Sequence, residues 1–334
     1  MRYLIFATLL SCSASYAYEP PRMPDGKPSL QGMWSNASIT RLQRGREHSS
    51  LIIEEGKVDE LTSAHPQVVR QRTDDHLDPN DGLLDGSDLG RGRGYNAFWI
   101  DPGREYGLVK GTRRSSWIVD PANGRIPRNP QAQIREEEDE SSSGNRRSAA
   151  EGPESRSLGE RCIIGFGGTG GPPMLNTLYN NTYQIVQTSD YVMILVEMVH
   201  DARIVPIKSK PIKSKQEYNP TVPRWLGNSV GWWEGDTLVV ETQNWHPAQA
   251  SRGPVATTTE GKVTERFTRY SDRQIFYEFT VEDPNLYTQA WKGEMSFNAI
   301  DGQVYEYSCH EGNLGLEGIL QGAREQEKRG NLAR

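Results

Sequence analysis

From residue 183 to residue 310, apolar and polar residues alternate in short runs separated by tight turn signals, the period of half-buried strands. The runs fall at 183–188, 191–200, 230–233, 237–245, 263–270, 275–282, 287–297 and 304–310, and connections such as Glu234-Gly235-Asp236 and Asp301-Gly302 suit hairpins. About eight sequential antiparallel strands predict a mainly β fold. Such a meander closes or splits into a sandwich, and a closed eight-stranded, lipocalin/calycin-like barrel is just wide enough for one small ligand. The 314–328 stretch predicts a C-terminal helix, packed outside the sheet or plugging one end.

Upstream the pattern is weaker. A proline-rich lead-in over 19–29 precedes a first strand at 30–34, where Gly32 permits close backbone approach and Trp34 can plug a core. A helical stretch at 54–72 contains Pro66 as an interruption, and an acidic, turn-rich run follows at 74–88. Strand signals at 95–100 and 115–119 each end in Asp-Pro, which cannot continue a ladder, and suggest a hairpin. Residues 131–157 hold almost nothing apolar and read as an exposed helix fading into a linker. The chain thus divides into a leader (1–17), N-terminal strands and polar loops completing the fold (18–130), the linker (131–157), and the meander with its helix (158–334).

The leader has a charged start, an apolar run over 3–10 and small residues ending at Ala17, the layout of a cleaved secretory signal. A periplasmic or secreted protein is expected, with no membrane span. The competing reading of Leu9-Leu10-Ser11-Cys12 is a lipoprotein box with Cys12 acylated. Cleavage leaves Cys162 and Cys309, either paired in a disulfide, as an oxidising compartment favours, or kept as two separate buried thiols. A net charge of −6 argues against nucleic acid, because phosphate binding needs a concentrated basic surface. The basic tract of Lys208, Lys210, Lys213 and Lys215 is broken by proline and reads as a solvated loop.

Long motifs run through the mature chain: Pro24-Asp25-Gly26-Lys27-Pro28 before Leu30-Gln31-Gly32-Met33-Trp34, Tyr179-Asn180-Asn181-Thr182-Tyr183-Gln184-Ile185-Val186-Gln187, Glu197-Met198-Val199-His200-Asp201-Ala202-Arg203, Gly231-Trp232-Trp233-Glu234-Gly235-Asp236-Thr237 and Tyr305-Glu306-Tyr307-Ser308-Cys309-His310-Glu311-Gly312-Asn313. In these the chain resembles a widespread family of secreted bacterial proteins of uncharacterised function. The resemblance implies export and a shared fold and carries no activity. The Gly-x-Trp start with a meander and terminal helix is similar to lipocalins and their calycin relatives, from which the 40–180 segment departs.

Candidate chemistry gathers at two strand ends. If the 191–200 strand stays regular, Glu197, Asp201 and Arg203 share one face and His200 lies on the other; a carboxylate at Glu197 then needs a cationic partner, either Arg203 or an arginine from a neighbouring strand. Glu197, His200, Asp201 and Arg203 at a cavity mouth could transfer protons and hold a carboxylate or enolate, or form a structural ion-pair cluster. The second cluster is Glu306, Tyr307, Cys309, His310 and Glu311; convergence of the two would supply catalytic His200, Asp201, Arg203, Glu197, His310 and Glu311. Aromatic and amide groups that could line a pocket are Tyr183, Trp232, Trp233, Tyr307 and Asn181. The glycine tract 165–171 opens no helix and lacks a P-loop lysine, so it reads as a loop beside the cavity. Zinc spacings and serine-nucleophile elbows are absent from the sequence, so no metal or cofactor is expected; a His/carboxylate metal site stays open only where the two clusters converge. Two functions follow: an extracytoplasmic barrel binding a small apolar or aromatic molecule, or a cofactor-independent acid–base enzyme acting on one at the His/Glu/Asp/Arg cluster. A surface interaction module tethered by 131–157 is a third.

Overall fold

The computed structural model describes residues 18–74, 101–132, 150–209, 211, 222–250 and 255–330. The leader with Cys12, the acidic run beyond residue 74, the 95–100 strand, most of the 131–157 segment and Lys210, Lys213 and Lys215 lie outside the described residues. In chain order the elements are β1 (Gly32–Ser35), α1 (Val58–Ala64), α2 (Pro66–Asp74), β2 (Leu108–Val109), β3 (Thr112–Arg113), β4 (Ile118–Asp120), β5 (Thr182–Gln187), β6 (Tyr191–Val196), β7 (Ala202–Pro206), β8 (Asn228–Glu234), β9 (Thr237–Gln243), α3 (Pro247–Ala250), β10 (Lys262–Ser271), β11 (Gln274–Glu282), β12 (Trp291–Ala299) and α4 (Leu314–Lys328). Pro66 does not merely interrupt a helix. It starts one, because its ring suits the first helical position and forces His65 before it into extended backbone.

Among the described residues nine strands form the barrel wall in the order β7-β6-β5-β1-β12-β11-β10-β9-β8, and each neighbouring pair along this order is antiparallel. With an odd number of strands an all-antiparallel ring cannot close, so the last seam must be parallel. It is: Ile207 bridges Gly231 in parallel, and the Lys208 N–H donates to the Gly231 carbonyl at 2.8 Å. Gly231 faces inward, where a Cβ would stand 3.0 Å from the Val205 and Ile207 side chains, so glycine is what lets β7 close against β8. β4 pairs with the start of β12 on the side where β1 pairs with its end, so two short segments share that flank.

The mainly β, antiparallel barrel with its terminal helix agrees with the sequence expectation, and the count rises from eight to nine for two local reasons. The run 191–200 is not one strand. Val199 and His200 take left-handed φ of 62° and 52°, and the Val196 N–H bonds the Asp201 carbonyl at 2.7 Å, so the chain reverses and β7 becomes a new strand. β1 enters between β5 and β12 and thereby occupies the edge that 304–310 would need; that segment is irregular instead.

Alternate residues of the wall point inward and fill the lumen. Trp34, Tyr183, Phe267, Tyr277, Phe279, Trp291 and Phe297 are all at most 1 % exposed. Tyr277 packs on Phe267, Phe279 and Phe297 with centroids 5.0–5.8 Å apart, and Phe279 fits because Gly293 opposite it has no Cβ to collide with the ring. This is a packed core and not an open cup.

Candidate functional site at one end of the barrel

One charged cluster sits inside that core. Arg203 on β7 reaches across the lumen to Glu265 on β10 in a two-pronged pair, one arm 3.0 Å long, with the side chains 2 % and 0 % exposed. The Tyr277 hydroxyl donates to Glu265 at 2.8 Å and accepts the Met174 N–H at 2.9 Å. Ser229 and Thr242, bonded to each other at 2.7 Å, accept from Arg203 at 3.4 and 3.5 Å. Burial works against the guanidinium charge, but Glu265 overcomes it and holds Arg203 above its ordinary value; burial raises the Tyr183 and Tyr277 hydroxyls. Arg203 is therefore a lumen residue that pairs with Glu265, and it does not pair with Glu197.

The turn between β6 and β7 disperses the other residues of the first cluster. Glu197 is 7 % exposed and its carboxylate accepts the Thr182 N–H at 3.3 Å. The His200 ring is exposed; its Nε2 accepts the Tyr307 N–H at 3.1 Å and lies 3.0 Å from the Tyr305 carbonyl. Asp201 turns to the glycine tract, accepting the Gly165 N–H at 3.1 Å, and its carboxyl lies 3.4 Å from where a Cβ on Gly170 would be. Burial pushes Asp201 up to about 6, against the smaller opposing effect of the Gly165 N–H. A β-branched residue in left-handed backbone, as at Val199, is a strained arrangement of the kind that persists where surroundings over-determine it.

The two clusters meet through backbone only. His200 touches the main chain of Tyr305 and Tyr307, while Glu306, His310 and Glu311 are exposed, and no hydrogen bond or ion pair joins them to His200 among the described residues. Cys162 and Cys309 form a disulfide, Cα atoms 5.8 Å apart, that ties the 157–164 loop to the tail; Asn313 adds a 2.7 Å bond to the Glu160 carbonyl. Of the pocket candidates, Tyr183 and Asn181 are structural in position: Tyr183 bonds the Thr169 carbonyl at 3.0 Å, and Asn181 closes a loop through both backbone groups of Thr177. Trp232 is buried and donates to Glu234 at 3.0 Å, while Trp233 and Tyr307 are half-buried against the core.

Beside Asp201 the glycine tract roofs a cleft of about 160 Å³ at this barrel end. Its walls include Leu158, Phe166, Leu175, Leu226, Trp245 and Val255, with Ser157, Gln249 and Thr257 as polar points. The tract is anchored from below: the Phe166 N–H and Thr169 hydroxyl both reach the Met198 sulfur, at 3.0 and 3.4 Å. Gly167 and Gly168 have φ of 66° and 84°, a conformation that keeps the loop tight over the cleft. Comparison of the chain with protein-family models, with curated proteins and with solved structures finds no match. The site is therefore read from its own chemistry.

Sequence reasoning missed Glu265, Leu226 and Val255. Glu265 carried a usable signal, since it sits between Val263 and Phe267 at inward positions of an alternating strand. Leu226 and Val255 carried none, because they lie in loops that only the tertiary fold brings to the cleft.

Proposed function

We propose that this protein is an extracytoplasmic small-molecule-binding barrel that takes an apolar or aromatic ligand in the end cleft beneath the glycine tract. One observation carries the reading: the lumen is occupied by aromatic side chains and an ion pair, whereas the end cleft is open, apolar and bordered by Trp245 and Phe166. Export is supported by the leader pattern and by the Cys162–Cys309 bridge, a bond that persists in oxidising compartments. No helix among the described residues is long and apolar enough to cross a membrane.

The test is titration with N-phenyl-1-naphthylamine, an apolar aromatic probe whose emission rises on leaving water. Saturable enhancement is expected, lost in Val255→Trp, which fills the cleft, and kept in Tyr191→Ser on the outer wall. Enhancement that is absent, or equal in both variants, refutes the site.

A second reading, an acid–base enzyme, is favoured by the position of Asp201, whose carboxyl titrates at about 6 next to the cleft roof. It needs a ligand proton within reach of Asp201. Were an isolated ligand to exchange a carbon-bound proton with deuterated solvent in the wild type and not in Asp201→Asn, the enzyme reading would stand; equal exchange in both would remove it.

A further inference from the structure

Outside the barrel, α1 and α2 pack on a separate small core of Ile39, Ile53, Val68 and Tyr106, bordered by Val58 and Leu61. At its centre the Tyr106 ring is met edge-on by two imidazoles. His48 lies 5.5 Å away between centroids at 89°, and His65 lies 5.9 Å away at 84°. His48 Nε2 is 3.2 Å from the Tyr106 hydroxyl, and His65 Nδ1 accepts the Gln67 N–H at 3.3 Å. The His48 side chain is 5 % exposed and His65 is 6 % exposed.

The charged surroundings favour neutral rings. Among the described residues, the groups that face the pair besides each other and Tyr106 are Glu47, Arg41 and Arg44. Of these Glu47 is the anion, with a carboxylate oxygen 3.8 Å from His48 Nε2, and it is half exposed and shared with Arg41 at 3.9 Å. Two added protons would place two buried cations beside two arginines, answered by one solvent-facing carboxylate. Burial accordingly pushes both imidazoles below their ordinary value, with Arg41 acting in the same direction and Glu47 opposing.

The lobe is also lightly built. Nothing on α1 is buried, and the Thr62 hydroxyl and Gln71 carbonyl oxygen are buried without a hydrogen-bond partner among the described residues. It is held by packing on Tyr106, Ile39 and Ile53, and the segments carrying Ile39 and Ile53 are fixed in turn by the Ile39 N–H to the Glu105 carbonyl at 3.1 Å, the Ile53 N–H to the Arg113 carbonyl at 3.0 Å and the Ser115 N–H to the Leu51 carbonyl at 2.9 Å. A unit with so few buried contacts is the first to open.

We propose that the α1–α2 lobe is an acid-triggered latch: His48 and His65 take up protons as the lobe detaches from Tyr106, while the barrel stays folded. An imidazole whose closed-state value is lowered gives stability that is present above the ordinary value near 6.5 and is lost as pH falls. Each proton taken up on opening multiplies the opening constant by up to tenfold per pH unit, so two give up to about a hundredfold. Among the described residues the barrel core buries no imidazole, and the charges in its lumen, Arg203 and Glu265, already face each other.

The test is an NMR titration of the full chain from pH 7.5 to 4.5, following histidine Cε1–H signals, backbone amides of 58–72 and the Trp291 indole. Expected are reversible loss of the 58–72 signals, steeper than one proton per molecule and coincident with His48 and His65 titration, and an unchanged indole. His48→Phe/His65→Phe keeps two rings against Tyr106 but adds no charge, and should hold the lobe closed to pH 4.5; if that variant does not fold, the wild-type titration decides alone. Lobe signals that persist to pH 4.5, that vanish together with the indole, or that vanish at the same pH in the double variant overturn the proposal.

Discussion

Replacing Arg203 with methionine removes the cation from a lumen in which Glu265 is wholly buried. Glu265 would lose both guanidinium contacts and, among the described residues, keep only the Tyr277 hydroxyl as donor. A charge-assisted hydrogen bond contributes roughly 1.5–3 kcal/mol, and breaking a buried pair by deleting one partner costs about 3–5 kcal/mol. At about 2–4 °C per kcal/mol for a chain somewhat smaller than this one, the melting temperature should fall by roughly 10 °C. The companion Glu265→Gln strands the arginine and should cost a similar amount. The double variant Arg203→Met/Glu265→Gln removes both charges, keeps an acceptor for Tyr277, and should recover at least half of either loss. Denaturant unfolding followed by tryptophan emission measures all three, and the cycle gives the coupling. A single-variant cost below about 1 kcal/mol, or additivity within about 0.5 kcal/mol, would refute the account of the lumen as a packed core organised around this pair.

Other consequences are equally direct. Burial raises the folded Asp201 carboxyl from 3.8 to about 6, so the stability it confers is full below about pH 3.8 and is lost as pH rises through about 6. Asp201→Asn should therefore stabilise at pH 8 by up to about 3 kcal/mol and do nothing near pH 3.5, which paired melting curves would show. Cys162→Ala/Cys309→Ala opens a link between residues 147 apart and should cost up to about 5 kcal/mol in the chain-entropy view; an unchanged melting temperature would count against a constraining role. Asn313 caps α4 through the Leu316 N–H at 3.3 Å while bonding Glu160, so Asn313→Ala should cost about 1 kcal/mol and speed amide exchange in the first turn of α4.

Much of the wall was legible because inward and outward residues alternate. Thr237–Gln243, Lys262–Ser271 and Gln274–Glu282 pair in register over most of their length, and their expected spans differ from the observed ones by one or two residues. The α4 span is found as expected, since Asn313 precedes a clean amphipathic run. Where backbone geometry overrode side-chain pattern, the sequence misled. Val199 belongs by type to a strand, yet it adopts left-handed backbone and turns the chain, which sends Arg203 into the lumen and Asp201 to the glycine tract. Alternation cannot register such a reversal. The cleft was half legible: the glycine tract was placed beside a cavity, but that cavity lies at the barrel end and not in the lumen, because aromatic residues read as pocket candidates are consumed by packing. His48, His65 and Tyr106 gave no signal, being joined by tertiary contact across 58 residues.

The claim that the ligand site is the end cleft is tested most directly by mapping amide and indole shifts of the isotopically labelled chain during titration with N-phenyl-1-naphthylamine. The account predicts saturable shifts at residues 165–171, Leu226 and the Trp245 indole, with Phe267, Phe279 and the Trp291 indole unmoved. Shifts centred on those three lumen residues, or no saturable shift at the cleft, would contradict it.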